Sequence, residues 1–115
     1  MARERAEALL CVQDPMFGQH RTRLLDLAAK SRLPAIYGDR AYTEAGGLMS
    51  YSVDVRDNFR CAATYIDKIL KGAKPADLPI EQPVRFELLI NLKTAKALGL
   101  TIPQPVLLRA EQLIE

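Results

Sequence analysis

Two carboxylates carry the plainest chemical potential in this 115-residue chain. Asp14 follows the apolar run Ala8–Val12 (ALLCV), and Asp39 follows the run Leu33–Tyr37 (LPAIY). Brought side by side, two such groups can divide the roles of general acid and general base. Held apart, each ends its apolar segment in an Asx turn, its side chain accepting from the backbone just downstream. Ligand contact and turn fit Asp14 equally, whereas a turn suits Asp39 better. Tyr37 and Tyr42 either stack on a ligand or cover core, with Tyr37 leaning to core. The single histidine, His20, has no nucleophile and orienting acid at a recognisable spacing and is read as structural or solvent-facing. Cys11 and Cys61 form no CxxC pair and have no partnering histidines, so both are expected to be buried, reduced thiols. Nucleophile-elbow, phosphate-loop, metalloprotease and dinucleotide patterns are all missing from the sequence. No catalytic residue, metal site or cofactor is therefore assigned.

The bulk composition narrows the partners. At 49% hydrophobic the chain can bury one core of ordinary domain size. Its net charge of +2 comes from 16 basic and 14 acidic residues scattered along the sequence. That leaves no basic stripe to track phosphates and argues against a nucleic-acid partner. No apolar run approaches the ~20 residues of a membrane span. The opening MARERAEALLCVQDP lacks a secretory h-region and cleavage site, so the chain as written is expected to stay in the cytoplasm.

Periodicity supplies the elements that would position these residues. ALLCV reads as a first strand covered on both faces. From Gly18 to Arg32, Leu24, Leu27 and Ala28 recur at helical spacing opposite Arg21, Arg23, Lys30 and Arg32, an amphipathic helix. LPAIY reads as a second strand, and strand–helix–strand implies a right-handed parallel crossover. Its loops then emerge at the carboxyl ends of the strands, where open α/β sheets bind ligands. Asp39–Ala45 reads as irregular and Gly47–Tyr51 as extended. Asp54 caps the best-marked helix, which carries Phe59, Ala62, Ala63, Ile66 and Leu70 on one face and ends at Gly72. The three prolines of Ala73–Pro83 (AKPADLPIEQP) exclude a helix or central strand. FELLI (Phe86–Ile90) is a further strand, and Asn91 caps a short helix that stops at Gly99. Thr101 and Gln104 have capping-box spacing before an expected terminal helix with Leu107, Leu108 and Ile114. The fold class is therefore α/β, a parallel sheet of three or four strands flanked by helices.

Longer stretches carry a family likeness. The segments LLCVQDPMF, LAAKSRLPAIYGDRAYTEAGGLMSYSVD and AATYIDKILKGAKPADLPIEQPVRFELLINLKTAKALGLTIP together resemble the C-terminal part of the ABC-transporter substrate-binding protein family related to tryptophan and tyrosine transporters. The resemblance implies part of a type I periplasmic-binding-protein fold, in which two α/β lobes close over a small molecule. It also implies an exported or lipid-anchored protein that hands its ligand to an ABC permease. On that pattern residues 1–51 are a βαβ part of the C-terminal lobe, 52–83 a crossing segment with a helix of the opposite lobe, and 84–115 the final strand and C-terminal helices. Matched by position, Asp14, Pro15, Met16 and Phe17 fall in one cleft loop, Tyr37 and Gly38 in the next, and Glu44, Gly46 and Gly47 where the chain turns toward the other lobe. The double glycine is then hinge and cleft-edge backbone.

Family members are more than twice this length, and Met1 falls in the middle of their pattern. A truncated gene product or a deliberately shortened chain would leave the cleft with one wall and weaken or abolish solute binding. Bare strand edges and apolar helix faces would then favour a homo-oligomer, with the part after Tyr51 available for exchange between copies. Three functional expectations follow. The first is a solute-binding component whose ancestral ligand is an amino acid or similar small organic molecule. The second is a stand-alone interaction or regulatory domain that self-associates and has lost solute binding. The third, the least supported, is an enzyme using Asp14 and Asp39.

Overall fold

The computed structural model describes residues 5–115. Strand β1 (Leu9–Cys11) leads through Asp14 into the short helix α1 (Pro15–Gln19) and then α2 (Arg21–Lys30), which returns the chain to β2 (Ala35–Tyr37). Helix α3 (Arg40–Glu44) precedes β3 (Met49–Val53), and α4 (Val55–Leu70) is the longest element. A 3₁₀ turn at Pro75–Asp77 interrupts the proline-rich stretch, followed by β4 (Phe86–Asn91), α5 (Leu92–Leu98), α6 (Gln104–Leu107) and β5 (Gln112–Ile114).

The strands form one five-stranded sheet in chain order. β1 and β2 pair in parallel with Cys11 opposite Tyr37, β2 and β3 in parallel with Tyr37 opposite Ser50, and β4 and β5 in parallel with Ile90 opposite Leu113. Asn91 N–H donates to Leu48 O (2.8 Å) and Asp54 N–H to Arg85 O (3.0 Å). Residue numbers rise on one strand as they fall on the other, so β4 runs antiparallel to β3.

The chain divides into two compact units. The first comprises the described residues to Ser52 together with Glu87–Glu115, and the second is Val53–Phe86. In the first unit α2 lays Leu24, Leu25 and Ala28 over Cys11, Ala35, Tyr37 and Tyr42, and Phe17 of α1 packs against the same cluster. Leu89, Ile90 and Ala95 are also fully buried. The other face of β1 is bare: Leu10 and Val12 are 70% and 62% exposed. The expectation of a first strand covered on both sides is thus corrected, because the helix packed on β1 through the Cys11 cluster covers one face only. In the second unit α4 is capped by Asp54, whose carboxylate accepts from Arg56 N–H (2.9 Å) and Asp57 N–H (3.4 Å). Tyr65 Oη donates to Pro79 O (2.6 Å), tying α4 to the returning stretch. No α4 residue is buried.

Four local readings change. Asp39–Ala45 is helical rather than irregular, because Asp39 caps it (Ala41 N–H to Oδ1, 2.9 Å) and Arg40 pairs with Glu44 one turn on (2.9 Å). The expected terminal helix is only α6, and Gln112–Ile114 instead pairs with β4, so that backbone groups find strand partners. Pro103 occupies the cap of α6 with no side-chain cap bond, which displaces the Thr101 capping box. Cys61 is exposed, since it lies on a helix that buries nothing, while Cys11 is buried as expected.

Candidate functional site

The carboxyl ends of β1 and β2 are held together by backbone geometry. Gly38 N–H donates to Cys11 O (2.9 Å), and a Cβ built on Gly38 would stand 2.8 Å from Gln13 N. Only glycine lets these two loops abut, since real Cβ atoms do not approach backbone so closely. Asp14 and Asp39 then occupy equivalent places, each capping the helix that follows its strand: Met16 N–H donates to Asp14 Oδ1 (2.8 Å) as Ala41 N–H does to Asp39 Oδ1. Asp14, Pro15 and Met16 are exposed at this edge, whereas Phe17 turns into the core.

Beneath the edge, Tyr37 and Tyr42 stack with ring centroids 4.7 Å apart and planes 9° from parallel. Tyr37 is 1% exposed. Burial pushes its phenol up to about 12, so the hydroxyl stays neutral through physiological pH. Tyr42 is also raised, first by burial and then by Cys11 and Asp39, with Arg21 opposing and Asp14 adding a smaller push. Tyr37 thus contributes a ring to the core and its neighbour Gly38 to the edge.

Arg40, the first residue of α3, was not singled out by its sequence context. Its guanidinium donates to Glu44 Oε1 (2.9 Å), to Glu87 Oε2 on β4 (2.8 Å) and to Gln112 Oε1 on β5 (3.3 Å). The hydrogen bond to Glu44 is the largest influence holding Arg40 more firmly protonated, against an opposing effect of burial, with Glu87 adding to it. The sequence signal was local, a glutamate four residues after the arginine; Glu87 and Gln112 are reachable only through the sheet.

Glu44, Gly46 and Gly47 lie elsewhere. They end α3 and enter β3 from its amino side, whereas Asp14 and Gly38 stand at carboxyl ends of the parallel neighbours. Gly46 has φ +108°, with open space around it. At Gly47 an added Cβ would meet Tyr37 Cε2 and Tyr42 O, each at 2.8 Å. Thr94 Oγ1 donates to Gly46 O (2.8 Å), fixing the turn from α5. The division between units falls at Ser52/Val53 and Phe86/Glu87. The pair of glycines is accordingly a turn and a close-packing position inside the first unit.

Two hollows accompany these loops. One of about 250 Å³ lies beside the carboxyl edge, lined by Leu10, Val12, Gln13, Ile36 and Gly38 among others. The other, about 150 Å³, lies toward the amino side between α2 and α5, with Ala28, Leu33, Leu48 and Leu98 in its wall. Both are below the ~300–1,000 Å³ of a typical ligand pocket. The carboxyl edge is the candidate site because polar groups of the loops after β1 and β2 come together there. In the second unit a hollow of about 520 Å³ is bounded by Asp57, Asn58, Cys61 and Glu81–Val84. Among the described residues no group of three or more His, Cys, Asp or Glu could hold a metal ion, and no helix is long and apolar enough to cross a membrane.

The sheet is mixed, and the loops after its parallel strands β1 and β2 meet at the kind of carboxyl edge where open α/β folds bind ligands. The family model for the ABC transporter substrate binding protein matches residues 1–114, and the chain belongs to that family. Among solved structures, the ABC domain from Streptococcus pneumonia in complex with L-Trp is 32% identical with a TM-score of 0.88, covering 98% of this chain and 38% of its own. A conserved domain protein from Vibrio cholerae O1 biovar El Tor is 26% identical with a TM-score of 0.88, over 96% of this chain and 37% of its own. A ligand-free, open substrate binding protein with adhesive properties from Clostridium difficile shares the fold at 19% identity and a TM-score of 0.68, over 93% and 36%. The chain thus spans under two-fifths of the length of these relatives. No curated protein sequence matches it.

Proposed function

We propose that this chain is part of the solute-binding component of an ABC-type importer, its ancestral ligand an amino acid or similar small organic molecule. The observation that carries the reading is the carboxyl edge, where Gly38 lets the loops after β1 and β2 abut and aligns Asp14 and Asp39. The L-Trp complex of the Streptococcus relative supports the ligand class. Asp14, Pro15, Met16 and the Gly38 backbone would form one wall of a cleft, with Phe17 and Tyr37 setting the loops from below. Gly47 supports this wall by packing against the Tyr37–Tyr42 stack rather than by touching solute, while Glu44 pairs with Arg40 and Gly46 makes the turn. The role is binding and delivery to a membrane permease, without a catalytic step, and the setting of the full-length protein is periplasmic or lipid-anchored.

A single wall buries too little of a small ligand to hold it tightly. The chain alone should give weak or no heat with amino acids. A hybrid in which it replaces the matching residues of the Streptococcus relative should give saturable heat with an aromatic amino acid, lost in a Gly38→Val variant that wedges the loops apart. A well-folded hybrid silent to every amino acid and related small solute would overturn the reading. A second reading, a self-associating interaction domain that has lost solute binding, is favoured by the exposed Leu10 and Val12. It predicts a homo-oligomer by sedimentation and no solute heat in the hybrid.

A further inference from the structure

The hollow of about 150 Å³ between α2 and α5 opens at the amino side of the parallel strands, away from the carboxyl edge, and all of its walls belong to the first unit. Ala28, Ala35, Tyr37 and Leu48 are its buried floor, while Ala29, Arg32 and Ala97 stand exposed around its mouth. Small residues make the space. At Gly47 an added Cβ would meet the Tyr37 ring at 2.8 Å and Leu25 Cδ2 at 3.1 Å, so the missing side chain keeps the floor free. Thr94, the one neutral polar side chain of the wall apart from the Tyr37 phenol, already donates to Gly46 O. An apolar space of this size offers too few polar partners to hold water and suits one ring-sized molecule.

Arg32 is the only charged group in this wall, and no described residue pairs with its guanidinium. Its backbone is left-handed, with φ +50°. It follows the cap of α2, where Arg32 N–H donates to Ala29 O and Leu33 N–H to Ala28 O, each at 3.0 Å. Glycine or asparagine adopts that closing conformation at lower cost, so the arginine is held there against local preference. An unpaired guanidinium beside an apolar, ring-sized hollow is complementary to a ring that ends in a carboxylate.

We infer that this hollow is a second small-molecule site, distinct from the carboxyl edge, which takes a monocyclic carboxylate with its ring against Ala28, Tyr37 and Gly47 and its charge on Arg32. The inference stands on this hollow alone and does not rest on the solute reading of the carboxyl edge.

The test titrates the full chain with benzoate, and separately with benzyl alcohol and acetate, while nuclear magnetic resonance follows the amides of Gly46, Gly47 and Leu98 and the ring of Tyr37. Benzoate should shift these signals saturably and bind about threefold or more tighter than benzyl alcohol, the scale of an exposed ion pair. Acetate, with no ring, should leave them in place. Arg32→Gly fits the left-handed backbone and keeps the fold; it should lower benzoate affinity about threefold or more and change that of benzyl alcohol less than about twofold. Ala97→Leu, at the mouth on α5, should fill the space and weaken both ring compounds about tenfold or more with the unfolding midpoint retained. Absence of a saturable benzoate shift, or benzoate binding no tighter than benzyl alcohol, overturns the inference. So do benzoate shifts that survive Ala97→Leu, or that fall on Asp14 and Gly38 instead, which would put the ligand at the carboxyl edge.

Discussion

Gly46 and Gly47 are adjacent in sequence and differ in what they require. Gly46 sits at φ +108° with nothing within 4 Å of an added Cβ, so its need is conformational. Gly47 has no such φ, but a methyl group there would press on the Tyr37 ring and the Tyr42 carbonyl. Gly46→Ala should therefore cost about 1–2 kcal/mol through backbone strain and leave the tyrosine environment intact. Gly47→Ala should cost about 1–3 kcal/mol by overpacking and should also alter the near-ultraviolet circular dichroism of the stacked rings. Denaturant unfolding with spectra of both variants checks this, and an unchanged tyrosine signal in Gly47→Ala would refute the packing role. The sequence made the need for glycine visible at these positions and could not divide it into strain and contact. That division depends on how Tyr37, Tyr42 and Leu25 are brought against Gly47 by the folded backbone. The same holds for Asp14 and Asp39: their placement after apolar runs was legible, whereas their standing at adjacent strand ends comes from the parallel register of β1 and β2.

At the scale of elements, most caps are legible in the sequence, though α3 and the start of α6 are not, and pairings made through the sheet are not. Asp54 caps α4, Asn91 caps α5 by accepting from Thr94 N–H (3.0 Å), and Gly99 closes α5 at φ +72°. Each of these features is complete within a few residues of sequence. β5 escaped because its three residues, QLI, have no period long enough to read, and their strand state comes from pairing with β4. Arg40 belongs to the same class. It joins α3 to β4 and β5, and its partner Glu87 has a side chain only 16% exposed. A half-buried pair of this kind is costly to break from one side, because the remaining charge keeps its desolvation without its counterion. Arg40→Met should destabilise by about 1–3 kcal/mol, and adding Glu87→Met should recover part of that loss. The exposed Lys71–Asp67 pair on α4 is 2.9 Å long yet open to water, and Lys71→Met should cost only about 0.3 kcal/mol. Chemical denaturation of the three variants decides the matter; equal losses at Arg40 and Lys71 would remove Arg40 as a tie between elements.

For the whole molecule, hydrophobic periodicity reported which helix face is apolar and nothing about what lies against it. On pattern alone, Phe59, Ile66 and Leu70 pass for core, and truncating core residues of this size costs about 2–5 kcal/mol. Their exposures of 72%, 56% and 81% give the opposite expectation for the isolated chain. Side chains already in water have little burial to lose, so Phe59→Glu and Leu70→Glu should each shift stability by no more than about 0.5 kcal/mol. Both should also lower dye binding, because they remove exposed apolar area. Ile90, 0% exposed in the first unit, supplies the contrast: Ile90→Ala should lose about 2–5 kcal/mol and take the cooperative transition with it. Urea unfolding of the three variants at low concentration, where copies do not associate, separates the cases. A loss at Phe59 or Leu70 comparable to that at Ile90 would mean the stripe is already buried in the chain alone.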